Sequence, residues 1–446
     1  MRYGKHGAWT KEEHWLGFRS RTARRVFAFC GIPCRSHGKP TSIDRKVKKS
    51  IHSVGQFRIH GGSEQDMDAI PVASADVSGN EERYAAEAIR SSWISSTGPF
   101  IDRFEAEFAE LCGTRYALAC SNGTTALHLA LMGLGLRPGD EVIVPSMTYI
   151  ATANAVRYCG AEPVFVDVDA DTWCISPQAI EKAITARTRG IIGVHLVGHP
   201  ADMDAINEIA AIHGLWVVED AAEAHFAKYR GRSVGGLGTM ATFSFFGNKI
   251  ITCGEGGAVT LNDPQLYVRL KMLRGQGMDP RRRYYFPITG YNFRLTNVAC
   301  GMLCAQLERR EEIFQKRRQV FDAYTNNLSG IRGIHFQPVA SWAETAPWMY
   351  SVQISPEEFG RTRNELIEIL KQENIDSRPF FFPLHTLPPF TEVASRQQHS
   401  MQVTDRLGDN GLMLPTYNAL SMESIDRICS VIRKSATSKL GIRRAA

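Results

Sequence analysis

One lysine stands out for its chemical setting. The segment Thr242-Phe-Ser244-Phe-Phe-Gly-Asn248-Lys249-Ile-Ile-Thr-Cys-Gly-Glu-Gly-Gly257 puts a single Lys after a Phe-rich strand and before a glycine-rich turn and a further strand. An amine held against an apolar wall loses hydration, which lowers its pKa and frees it as a nucleophile. A surface lysine is the alternative reading of the same text. Upstream, Val217-Val-Glu-Asp220-Ala-Ala-Glu223-Ala-His225 puts an acidic pair at the C-terminal end of a buried strand. That is the edge at which open α/β sheets hold ligands. Solvated loop acids would look alike, and His225 alone reads as a packed or capping histidine. In Cys120-Ser-Asn-Gly123-Thr124-Thr-Ala126, between a strand and a helix, backbone N–H groups, hydroxyls and the helix dipole would converge on an anion. A phosphate cradle and a plain Asn-Gly turn with a Thr cap both fit. The segment has no Walker lysine and no Rossmann glycine triplet, which disfavours nucleotide phosphate bound in those modes.

To act together, the three segments must meet at one edge of a sheet. From Tyr116 to about Val259, apolar runs alternate with amphipathic stretches at βαβ spacing. Strands are predicted at 116–120, 141–145, 163–168, 190–197, 215–219, 241–246 and 258–261. Helices are predicted at 125–134, 151–158, 177–183, 202–213 and 265–274. Runs apolar on both faces imply a mostly parallel sheet covered by helices. A helix from Ser78 through Ile89 precedes this region, and one long helix over 296–326 follows it as a connector. A smaller α+β unit comes last, with a strand around 348–354, a helix over 362–373 and an aromatic, proline-rich stretch from Arg378 to His385.

Composition narrows the class of protein. The chain has 446 residues, 43% hydrophobic and 22% charged, as expected of a folded soluble protein with a sizeable core. Its net charge of +6 divides unevenly, because residues 1–66 carry +9 and residues 67–446 carry −3. A basic leader, read as disordered, thus precedes a body without the positive potential of a nucleic-acid enzyme. Met67 is expected to be the functional start, or residues 1–66 to be dispensable for catalysis. Ten scattered cysteines show no disulfide framework, which suits a reducing cytoplasm. Cys30, Cys34 and His37 lack a second ligand pair at zinc-finger spacing, so no metal is expected. The stretch from Tyr116 to Leu136, free of charge, is interrupted by Ser-Asn-Gly-Thr-Thr and reads as strand, loop and helix; no stable membrane insertion is expected.

The segments in this order resemble the DegT/DnrJ/StrS-type nucleotide-sugar aminotransferases of the aspartate-aminotransferase fold, from about Ile70 to the C-terminus. Trp93-Ile-Ser-Ser-Thr-Gly-Pro99, the 243–257 segment, Arg274-Gly-Gln-Gly-Met-Asp279 and Gly290-Tyr-Asn-Phe-Arg-Leu-Thr-Asn297 carry the likeness. The leader has no counterpart in the family pattern. The resemblance implies a pyridoxal-phosphate enzyme of fold type I: a large cofactor domain over 67–325 with a mostly parallel sheet, and a small α+β domain over 326–446.

By the same resemblance, Lys249 is the lysine that bonds to pyridoxal 5′-phosphate and moves the substrate proton, and Asp220 faces the pyridine nitrogen. Glu223 lies on the side of the phenolic oxygen, Gly123, Thr124 and Ser244 take the phosphate, and Tyr149 in Thr148-Tyr-Ile-Ala-Thr152 stacks on the ring. Asn292 reaches the phosphate of the neighbouring subunit, making a homodimer with a composite site. Trp93, Arg378, His385 and Tyr417 are candidate walls of a substrate pocket. The implied reaction moves the amino group of glutamate to C4 of GDP-4-keto-6-deoxymannose, for O-antigen polysaccharide. A UDP- or dTDP-linked keto sugar is the alternative substrate, and a non-catalytic cofactor or sugar-nucleotide sensor is the alternative class. Members of the fold with histidine in place of the lysine dehydrate at C3, and Lys249 argues against that variant.

Overall fold

A sheet forms where apolar strands can pair and be covered on both faces. In the computed structural model, which describes residues 69–397 and 399–436, the fully buried runs do this. The 1–66 leader, its Cys30, Cys34 and His37, and the Met67 boundary lie outside the described residues. The first nine strands are β1 (Tyr116–Cys120), β2 (Glu141–Pro145), β3 (Glu162–Val166), β4 (Thr188–Val194), β5 (Trp216–Asp220), the short hairpin β6 (Lys228–Tyr229) and β7 (Arg232–Ser233), β8 (Met240–Ser244) and β9 (Gly257–Leu261). Among the described residues seven of these pair in the order β1-β9-β8-β5-β4-β2-β3. β3, β2, β4, β5 and β8 are mutually parallel, and β9 runs antiparallel between β8 and β1. Every strand but β9 therefore ends at the same edge, which brings Cys120, Pro145, Val194, Asp220 and Ser244 to one side.

Helix starts follow local chemistry. Asn122 caps Gly123–Gly133 by accepting from Thr125 N, in a capping box, and Ser176, Asp202 and Asp263 cap later helices with their side chains. The first described helix, Glu81–Arg90, starts three residues later than Ser78 suggests. The Ser78 hydroxyl is turned to Asp76, and Glu81 bonds back to Gly79 N. The predicted β4 is shortened because Leu196–Gly198 form a 3-10 turn, with Val197 at φ 55°.

The connector is two helices rather than one. Asn297–Glu308 and Arg310–Leu328 meet at Arg309, whose backbone leaves helical geometry at φ −106°, ψ 12°. The first helix is buried along nearly all its second half and the second only along a stripe, so the chain must re-aim between them. Arg309 marks the turn, its guanidinium held by Asp76 and Glu312.

The second sheet is antiparallel, in the order β10-β12-β14-β13, from β10 (Ile334–Phe336), β12 (Ser351–Ile354), β13 (Arg378–Pro379) and β14 (Gly411–Met413). β11 (Ala343–Glu344) pairs instead with β6. Val320, Tyr324, Leu366, Leu370, Ile425 and Ile428 pack a separate core on this sheet. Among the described residues no helix is long and apolar enough to cross a membrane.

Candidate active site

Lys249 lies just beyond β8, in a turn closed by its own N–H to Phe246 O at 2.9 Å. Burial pushes its amine below the usual lysine range, against the pull of Glu223 and Asp220. The amine sits 4.3 Å from the Trp348 ring centroid. An amine whose pKa is lowered gives up its proton more readily, and once deprotonated it is equipped to attack a carbonyl or to take a proton.

Asp220 closes β5, buried, with Oδ2 accepting from the Thr152 hydroxyl at 2.8 Å and Oδ1 from Ala222 N at 3.3 Å. Burial raises its pKa against these two hydrogen bonds and the charge of Lys249. Its hydrogen-bond partners are neutral, so the carboxylate is short of a countercharge that a protonated ring nitrogen would supply. Thr152 is itself bonded to Thr148 at 3.1 Å, which ties Asp220 to the loop bearing Tyr149. Tyr149 is 59% exposed, its ring 6.0 Å from that of Phe381.

Glu223 follows on the same loop. Its Oε2 accepts from Val197 N at 2.8 Å, and burial lifts its pKa to about 7 although Lys249 opposes this. His225 packs among Phe226, Phe243 and Phe245, and burial holds its pKa down at about 3. It is a neutral core histidine.

On the opposite side of Asp220 along the chain, Glu219 is fully buried and accepts from Gly235, Leu237 and Gly238 N. It also meets His195 Nε2 at 3.1 Å. Because His195 Nδ1 accepts from Ala201 N, Nε2 is the nitrogen that carries hydrogen toward Glu219.

The candidate anion cradle lies where β1, β8 and β9 meet. Asn122 satisfies Thr125 N, leaving Gly123 and Thr124 N–H at the helix start without intrahelical acceptors. A Cβ on Gly123 would come within 2.8 Å of Ser244 Cβ, and one on Gly257 within 2.4 Å of Asn122 O. Only bare backbone lets the helix start, Ser244 and β9 close up. Ser121 and Thr125 hydroxyls add a bonded pair at 3.0 Å beside it. A phosphate suits these amides, so the residues fit a phosphorylated cofactor carrying a basic ring nitrogen and a carbonyl.

The remaining predicted residues are spread more widely. His385 docks on the end of β2, its Nδ1 2.8 Å from Ser146 Oγ and its Nε2 3.2 Å from Asp405. Arg378 lies in β13, and Tyr417 packs half-buried against the second core. Trp93 is exposed, its carbonyl held by Asn297 Nδ2 at 2.7 Å. Asn292 is exposed, accepting from Arg294 at 3.4 Å on the segment whose Phe293 O meets Ser121 N. Sequence reasoning passed over Thr152, Trp348 and Arg317. Thr152 had a signal, as a hydroxyl one helical turn from Thr148 at the end of a strand.

The profile of the DegT/DnrJ/EryC1/StrS aminotransferase family matches residues 76–433. The chain belongs to this family and is an aminotransferase. It is 48% identical over 368 residues to GDP-perosamine synthase of Caulobacter vibrioides, covering 82% of this chain and 98% of that protein. Among solved structures, S. venezuelae DesV superposes with a TM-score of 0.75 at 38% identity, over 80% of this chain and 95% of that one. The PLP-form of Spr1654 from Streptococcus pneumoniae gives 0.77 at 26% identity, over 82% and 98%. The α/β fold with a large, mostly parallel sheet is shared with these sugar aminotransferases.

Proposed function

We propose that the chain moves the amino group of glutamate to C4 of GDP-4-keto-6-deoxymannose, giving GDP-perosamine, with pyridoxal 5′-phosphate as cofactor. The observation that carries this reading is the 48% identity to a GDP-perosamine synthase along nearly that protein's whole length. The intact set of Lys249, Asp220, Glu223 and the Gly123 cradle supports it.

When bound, the cofactor supplies an electron sink and carries the amino group between the two substrates. The Gly123 and Thr124 amides, with Ser244, hold its phosphate. Asp220 keeps a proton on the ring nitrogen, oriented by Thr152. Lys249, its pKa lowered by burial, would anchor the cofactor and move the proton at the substrate carbon. Glu223 would face the side of the phenolic oxygen, and Tyr149 would stack on the ring. Asn292 serves the phosphate of the neighbouring subunit, so a homodimer completes the site. Trp93, Arg378, His385 and Tyr417 are assigned to the outer pocket that reads the sugar nucleotide.

Purified protein with glutamate and a panel of GDP-, UDP- and dTDP-linked keto sugars, read by mass spectrometry, tests base, sugar and reaction together. Amination of the GDP-linked 4-keto sugar alone is the expected result. Preference for a UDP- or dTDP-linked substrate would overturn the base assignment, and no amination of any sugar would overturn the reading.

A further inference from the structure

Arg317 is a buried cation with neutral acceptors. It lies in Arg310–Leu328, 3% exposed, and its guanidinium donates to Trp348 O at 2.8 Å, Asn418 Oδ1 at 3.0 Å and Lys249 O at 3.3 Å. Asp76 reaches it through Asn418, whose Nδ2 donates to Asp76 Oδ2 at 3.0 Å. A buried guanidinium without a direct carboxylate is costly, so a fork spent on three oxygens calls for a reason.

Trp348 grips the same turn one peptide earlier. Its indole N–H donates to Asn248 O at 3.0 Å, and its ring faces the Lys249 amine. The carbonyl of Asn248 belongs to the peptide plane entering Lys249, and the carbonyl of Lys249 to the plane leaving it. Peptide planes are rigid, so fixing both sets the two dihedrals at the Lys249 Cα and with them the direction in which its Cα–Cβ bond leaves the backbone, while the Trp348 ring bounds the amine.

We infer that Arg317 and Trp348 are positioning residues for the Lys249 amine, pinning both flanking peptide planes while the Trp348 ring walls one side of Nζ. The inference rests on Lys249 being the reactive amine. Without these two clamps the turn relaxes, the amine gains water, and it strays from the acidic pair. The charged groups around it are Asp220 and Glu223 from the β5 loop and Arg317 from its helix, with neutral His225 behind.

The test compares the natural chain with Trp348→Phe, which keeps a ring and removes one N–H, and Arg317→Lys, which keeps the charge and loses the fork. In cofactor-free protein, labelling of Lys249 by an acylating reagent across pH, read on its peptide by mass spectrometry, gives the amine's titration midpoint. Both variants should move that midpoint toward a solvated lysine, by roughly threefold or more in acid constant. With cofactor and substrates, kcat should fall roughly 10- to 100-fold while KM for glutamate changes less than about twofold. Trp342→Phe, whose parent ring packs on Tyr229 and His199, should alter neither readout. Unchanged midpoint and kcat in both clamp variants would overturn the inference, as would a loss of thermal stability with the midpoint unmoved. Absence of amino transfer by the natural chain would instead strike the proposed function, and the midpoints would still decide this one.

Discussion

Replacing Glu223 by Gln should stabilise the cofactor-free protein at pH 8 and leave it little changed at pH 4. Burial raises the Glu223 pKa from 4.5 to about 7. A carboxyl that holds its proton more tightly when folded contributes stability that is fully present below 4.5 and is lost as pH rises through 7. The gap corresponds to about 3 kcal/mol of stability given up by the natural chain above pH 7. Gln has no charge to bury, and its amide oxygen still accepts from Val197 N. Glu223 is coupled to Lys249 and Asp220, so the difference between the two chains reports the loss of its charge together with that coupling. Denaturant titrations of both proteins at pH 4, 6 and 8 measure it. A stability difference that is the same at all three values, or that favours the natural chain more at pH 8 than at pH 4, would refute the reasoning.

Other expectations concern the proposed chemistry. Lys249→Ala should abolish amino transfer and leave far-UV circular dichroism unchanged, because it removes the amine and no backbone contact. Asp220→Asn should weaken cofactor affinity by roughly 100-fold or more, since the buried carboxylate is the proposed counterion of the ring nitrogen; equilibrium dialysis checks this. Mixing inactive Asn292→Ala and Lys249→Ala chains should restore part of the activity through hybrid dimers with one intact site, and hybrids that form without activity would contradict a composite site. A chain of residues 67–446 should match the full chain in cofactor content and turnover, and loss of either would show that the leader is needed.

The sheet and the edge at which the three segments meet were legible because buried strands announce themselves. β1 and β2 are apolar on both faces, and the capping side chains at Asn122, Ser176 and Asp202 mark where helices begin. The break at Arg309 was not legible. Helix-forming residues run through it, and what re-aims the chain is a change of buried face together with an ion pair to Asp76, more than 200 residues away. The clamp on Lys249 escaped for a related reason. Lys316, Arg317 and Arg318 stand side by side in the sequence, and only packing decides that the middle one is buried. Its acceptors are mostly carbonyl oxygens, which every residue carries, so no pattern of side chains betrays them. Thr152 was visible in principle, within a segment already quoted for Tyr149.

The position of β9 bears on when the site can exist during synthesis. β1 stands at the edge of the large sheet with β9 as its neighbour, and Cys120 faces Gly257 across that pair. Roughly 140 residues separate the two partners, which a ribosome adds at about 5–20 per second, so β1 waits on the order of ten seconds for its mate. Until then the side of β1 that β9 will occupy is unpaired and open to any other extended chain, a hazard of misassembly. The lysine-bearing turn emerges just before β9, and the arrival of that one strand joins β1 to β8. Nascent chains arrested short of Gly257 should therefore show no cofactor retention.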